Sequence, residues 1–239
     1  MDTSMGTQAF GEFLGTFILI ILGDGVVGAD VLKRTKSNGT GWVLITFGWG
    51  LAVAMAVFMS GFLGPAHINP AVTLGMAMAG EIPWSYVLPF IGAQMAGAFL
   101  GAIIVWIHYK PYFDATEDEG TVLAVFSTAP GIRDITNSVI GEAIGTFILV
   151  FGLLTFGRGD FTDGLNPLVV GLLIVSIGMS LGGTTGYAIN PARDLGPRIA
   201  HQILPISTKG DSDWGYSWVP VVGPMIGGAL AALAYGLIP

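Results

Sequence analysis

The residues best placed to do chemistry are two asparagines and an arginine. Asn69 opens Asn69-Pro70-Ala71, Asn190 opens Asn190-Pro191-Ala192, and Arg193 follows directly. None of them is a nucleophile or a general base. What they offer is hydrogen bonding, from carboxamide N–H groups and a guanidinium with several donors. That chemistry replaces the water around a polar solute; it makes and breaks no covalent bond. Asn-Pro is also a helix start. Asn accepts from the orphan amides of a first turn, and Pro fits the first helical position, where its missing N–H has no partner anyway. The expected helices run from Pro70 to Ala79 and from Pro191 to about His201. Ten residues at ~1.5 Å each reach only half of a ~30 Å bilayer core. Two such helices can meet at mid-membrane by their N-termini.

The rest of the chain is suited to hold that meeting. It has 239 residues, 52% hydrophobic and 10% charged, with a mean hydropathy of +0.72. A soluble domain carries about 25% charged residues. The net charge of −7 offers no basic surface for nucleic acid, and the absence of cysteine excludes disulfides, thiol catalysis and Cys-ligated metal. No basic region precedes the first apolar run, so no cleavable signal peptide is expected. Six apolar runs are long enough to be spans, at 9–29, 42–62, 84–107, 139–157, 165–181 and 218–238. Pro89 is a possible kink in the third run. A polar connection is expected over 108–137, with the acidic cluster Glu117-Asp118-Glu119.

The chain repeats itself. Gly11 to Ile20 matches Gly141 to Val150 at seven of ten positions, and Ile68 to Gly75 matches Ile189 to Gly196 at six of eight. The offsets are 130 and 121 positions, so the halves differ mainly in loop length. Three spans per half is an odd number, so the second half enters the membrane from the opposite side. Inverted repeats of this kind place the working site at the midplane between them. The expected organisation is one transmembrane domain over 1–239, with repeats at about 9–107 and 138–238.

Two Asn-Pro-Ala motifs, one per three-helix repeat, with Arg193 after the second and duplicated Gly-Glu-x-x-Gly-Thr segments, resemble the aquaporin (major intrinsic protein) family. The resemblance spans nearly the whole chain. It implies an all-α membrane fold of six transmembrane helices and two re-entrant half-helices. It also implies a homotetramer in the cell membrane, surrounded by lipid, with one pore per subunit, no cofactor and no metal. Asn69 and Asn190 would face each other in the pore centre, where the helix N-termini add a positive field that opposes cations and breaks a proton-conducting water chain. Arg193 would stand at the narrow filter with Trp49, Gly178 and Tyr187. Trp49 resembles the filter Trp of glycerol-conducting members. Gly178 falls where water-selective members have His, and its small size is expected to leave room. Tyr187 falls where glycerol channels usually have Phe. The backbone of Ala66, His67, Gly186 and Ala188 would line the pore. Pro65 stands where the family often has Gly.

Glu12 and Glu142 are ionisable groups inside spans, which mark function or a buried pairing. Their matched positions in the repeat argue for a supporting role, each accepting from amides of a re-entrant loop that lipid cannot satisfy. Asp194 is expected to support helix ends near Arg193. Gly23-Asp24-Gly25-Val26-Val27-Gly28 matches a dinucleotide-binding pattern, but the polar loop that follows lacks the required context. Gly97-x-x-x-Gly101, Gly178-x-x-x-Gly182 and Gly223-x-x-x-Gly227 are candidates for close helix packing. Three cations in the 31–41 loop would put that loop in the cytoplasm; the resemblance puts it outside, and is followed here. The implied function is passive passage of glycerol, water and other small uncharged solutes: dihydroxyacetone, urea, hydrogen peroxide and undissociated lactic acid. An ion-coupled secondary transporter is the alternative; it would need Glu12 or Glu142 to face the path. A membrane-embedded enzyme lacks a metal cluster or a nucleophile–base pair in the spans.

Overall fold

The computed structural model describes residues 4–239. Residues 1–3 of the expected domain lie outside this range. Nine α-helices and one short 3-10 turn account for the regular structure, with no strand among the described residues. The helices are α1 (Met5–Val31), α2 (Trp42–Ser60), α3 (Pro70–Met78), α4 (Val87–Asp114), α5 (Glu119–Phe126), α6 (Ile135–Phe156), α7 (Leu165–Leu181), α8 (Pro191–Ile203) and α9 (Val219–Tyr235). Helices α1, α2, α4 with its preceding turn, and α6 are long and apolar enough to cross a membrane. The 17-residue helices α7 and α9 are shorter, at the lower end of the spanning range of about 17–25 residues. Helices α3 and α8, of 9 and 13 residues, are half-helices, reaching roughly 14 and 20 Å.

Close packing explains the many glycines. On α4, Gly97 and Gly101 lie against the carbonyls of Phe13 and Phe17 in α1. On α9, Gly223 and Gly227 lie against those of Val139 and Ala143 in α6. Gly50 of α2 and Gly171 of α7 each face the other's carbonyl oxygen, so the two halves join there back to back. A Cβ at any of these contacts would push two backbones apart. The half-helices cross over: α3 packs on α9, and α8 packs on α4. Each half of the chain therefore holds the other's half-helix. Outside, large apolar side chains such as Val43, Leu88, Leu172 and Leu233 are 60–79% exposed or close to it, as lipid-facing groups should be.

Two local expectations need correction. The connection over 108–137 is not simply polar loop. Helix α4 continues to Asp114, and α5 follows, with Asp118 as N-cap accepting from the Thr121 amide at 2.7 Å. Val122, Val125 and Phe126 of α5 are fully buried, and Phe126 stacks on Phe113 at 5.5 Å. The acidic flanks mask this short apolar face in the sequence. Pro89 does not kink α4, because it falls in the first turn, where no helical bond is lost. Gly178 and Gly182 do face a neighbouring helix, against Thr46 and Trp42 of α2, and a Cβ on either would also meet the ring of Tyr187.

Candidate pore between the two half-helices

Each half-helix begins at its asparagine. Asn69 is the N-cap of α3, its Oδ1 accepting from the Ala71 amide at 2.9 Å. Asn190 caps α8, accepting from the amides of Ala192 and Arg193 at 3.0 and 3.2 Å. The two carboxamides also bind across the meeting point. Asn69 Nδ2 donates to the Ile189 carbonyl and Asn190 Nδ2 to the Ile68 carbonyl, both at 2.8 Å. Each NH2 carries two hydrogens, so one remains to each asparagine for a passing solute.

The loops that lead into these caps are strained. Ala66, Ile68, Tyr187 and Ile189 have φ of 51°, 48°, 38° and 42°. The left-handed region is unfavourable for a β-branched residue, and such conformations cost on the order of 1–3 kcal/mol each. Two buried carboxylates hold them in place. Glu12 accepts from the amides of His67 and Ile68 at 2.7 and 2.6 Å. Glu142 accepts from those of Ala188 and Ile189 at 3.0 and 2.7 Å. Third donors differ between the loops: Gln94 Nε2 reaches Glu12 at 2.8 Å, while Thr185 Oγ1 reaches Glu142 at 2.6 Å. Gln94 also donates to Thr73, which contacts the His67 ring. Neither glutamate lines the cavity that runs past the asparagines.

That cavity has a volume of about 240 Å³. Asn69 and Asn190 lie along it, with Ala66, His67, Ile68, Ala188 and Ile189. One end is walled mainly by the apolar side chains of Val57, Val72, Leu149, Leu153, Phe156 and Val170, with Gly157 and Asn166 also in the lining. The other end holds Trp49, Tyr187 and Arg193. Arg193 is only 6% exposed, and its guanidinium carbon lies 4.2 Å from the centre of the Trp49 ring. Such stacking leaves the edge of the guanidinium free for hydrogen bonding.

Gly178 and Gly186, both expected at the pore, do not line the cavity. Gly186 lies behind the loop against Thr128. Gly178 sits behind Tyr187. A Cβ there would approach Tyr187 Cζ at 2.8 Å and the phenol oxygen at 3.0 Å. The room that the glycine leaves is thus filled by the tyrosine, not opened to solute. Trp42 completes this corner, donating to the Gly178 carbonyl at 2.9 Å and meeting Tyr187 edge-on at 5.6 Å. Asp194 supports the site from behind. It accepts from the Thr128 amide at 2.7 Å and from Arg198 Nε at 2.8 Å, while Arg198 reaches the carbonyls of Thr128 and Ser212. Trp42, Gln94 and Thr185 were not expected as site residues. Their partners are far away in sequence, and no local pattern marks them.

The chain is similar to known proteins. The family model of the major intrinsic proteins matches residues 2–235. "Glycerol uptake facilitator protein 3" of Lactiplantibacillus plantarum is 60% identical over 239 residues, covering all of both chains. "Glycerol uptake facilitator protein" of Streptococcus pneumoniae is 60% identical over 98% of this chain and 100% of its own. Among solved structures, the aquaglyceroporin from Plasmodium falciparum superposes with a TM-score of 0.86 at 30% identity, covering 98% of this chain and 97% of the other. A chain with this fold, these apolar helices and this family match across nearly its whole length is a multi-pass channel of the cell membrane, not an enzyme, and it belongs to the major intrinsic protein family.

Proposed function

We propose that the protein is a passive channel for glycerol that also passes water and other small uncharged solutes. The single observation that carries the reading is the two-faced end of the cavity. Arg193, stacked on Trp49, offers hydrogen bonds from the free edge of its guanidinium, while the Tyr187 ring and the remaining edge of Trp49 offer apolar surface. A polyol has a hydroxyl edge and a carbon edge, and both are met. The names of the bacterial relatives support the same solute. In this reading Asn69 and Asn190 hand the solute across the centre with their free N–H groups. The carbonyls of the loops at 66–68 and 187–189 accept from its hydroxyls. Ions are excluded because shedding water in this passage costs far more for a charge than for a neutral polar group. The helix ends, roughly half a positive charge each, add to the barrier for cations. Glu12 and Glu142 serve the loops in this reading and couple no ion. The exposed apolar belts meet lipid and neighbouring copies in a homotetramer.

Stopped-flow light scattering on proteoliposomes tests it. Glycerol should re-swell shrunken vesicles well above protein-free controls, with no dependence on sodium or a proton gradient. Fast water flux with glycerol at the control rate would refute the glycerol reading, and flux that requires an ion gradient would restore the transporter.

A further inference from the structure

Asp24 is completely buried in α1, and neither of its carboxylate oxygens has a hydrogen-bond partner. Arg193 Nη1 is also without one, and it lies 3.9 Å from Asp24 Oδ1. A lone buried charge is costly, and these two have each other. The neighbouring acid, Asp194, is already engaged by Arg198 and Thr128. The residue before Asp24 adds to the arrangement. A Cβ on Gly23 would overlap the Trp49 ring, so that ring lies flat against α1 and carries Arg193 on it. One short segment, Gly23-Asp24, therefore seats both the aromatic wall and the cation.

The repeat supplies an internal control. The position 130 after Asp24 is Leu154, and the position 121 before Arg193 is Val72. Both charges are missing together from the other half. We propose that Asp24 is the counter-ion of Arg193: it positions the guanidinium and cancels its charge, so that this end of the pore binds uncharged solutes weakly instead of holding anions. The inference rests on the pore reading above. An uncompensated guanidinium is a strong anion site through charge-assisted hydrogen bonds, whereas conduction needs weak binding.

The test uses nitrate, a small planar anion that fits a guanidinium. Glycerol flux through wild-type channel should be insensitive to nitrate. In Asp24→Asn it should fall about threefold at ~100 mM nitrate if the site has a Kd of ~50 mM, by the factor 1 + [L]/Kd. Asp24→Glu, which keeps the charge, and the double variant D24N/R193Q, which removes both charges, should be insensitive again. A merely structural role for Asp24 would not move this anion response. Conducting D24N that ignores nitrate would overturn the proposal. If D24N fails to reach the membrane, a recovered yield in D24N/R193Q supports the pairing, and an equally low yield overturns it. Should the wild type carry no glycerol at all, the glycerol reading fails but the counter-ion is still testable. Nitrate should then raise the melting temperature of detergent-purified D24N and leave that of the wild type unchanged; no rise in D24N overturns it.

Discussion

The two ends of the cavity occupy equivalent positions of the repeat and are built from different residues. At offset 121, Trp49 corresponds to Val170, Gly178 to Val57, Tyr187 to Ala66 and Arg193 to Val72. All four partners line the cavity, Val57, Val72 and Val170 at the apolar end. The supports behind them are alike: a buried glutamate under each loop, an asparagine cap on each half-helix, and a left-handed isoleucine before each cap. The duplicated scaffold sets where a wall stands and how the backbone faces the solute. It does not set what the solute meets. On this account selectivity comes from a few residues at one end, and the apolar end serves as a vestibule that holds the solute weakly.

The largest effects should come from breaking what the two halves share. Glu142→Ala strips the acceptor from two amides and the Thr185 hydroxyl, and Glu12→Ala does so for two amides and Gln94. Each buried donor left unmet costs about 1–3 kcal/mol, enough to lose most membrane yield or flux. Quantitative blots of purified membranes with glycerol flux per channel will show it. Normal yield and flux in both variants would remove the account of the loops.

Much of this shared scaffold was legible in the sequence. Runs of apolar residues, matched Gly-Glu segments and two Asn-Pro starts are local signals, and each has a local physical cause. What could not be read lies in contacts between distant residues. Asp24 appears as one acid in an apolar run, and its partner Arg193 is 169 positions away. Gly178 reads as a small residue for helix packing and does meet Thr46 of α2, but nothing in the sequence shows that the Tyr187 ring also lies over it. The apolar face of α5 spans eight residues and is framed by acids, too short to stand out from the loop around it. The half-helices end within two residues of the expected positions, which is the usual uncertainty of helix termini.

Smaller effects should come from the corner where the ends differ. Gly178→Ala places a methyl against Tyr187 and Thr46, and the ring must move toward the pore. Glycerol flux should fall several-fold while water flux falls less, in the same vesicles. Equal losses for both solutes would argue that the corner only carries structure. A charged solute sharpens the same point. Lactic acid should cross only when protonated, so channel-dependent uptake falls about tenfold per pH unit above its carboxyl value of ~3–4, with glycerol flux level. Radiolabelled uptake from pH 4 to 7, less empty-vector cells, reads it; flat uptake would mean that the anion passes. The smallest effect is expected far from the pore. Arg133 pairs with Asp213 at 2.7 Å and holds its carboxyl below the usual range, chiefly through that hydrogen bond. The pair contributes above the unfolded carboxylate's pKa and fades as pH falls through the depressed value. Because the arginine is more than half exposed, Arg133→Ala should cost at most about 1 kcal/mol, read as a small drop in melting temperature at neutral pH that vanishes in acid.

The claim that selection resides at one end of a symmetric scaffold is tested most directly by trimming both ends and comparing two polyols. Xylitol and glycerol permeabilities would be measured by stopped flow in proteoliposomes of W49V/Y187A, which makes the Arg193 end resemble the other, and of V57A/V170A, which trims the apolar end. A wall contact of this kind is worth about tenfold in discrimination. The xylitol-to-glycerol ratio should therefore rise about tenfold in W49V/Y187A and stay within about twofold of wild type in V57A/V170A. A ratio that rises equally in both, or only in V57A/V170A, would contradict the account.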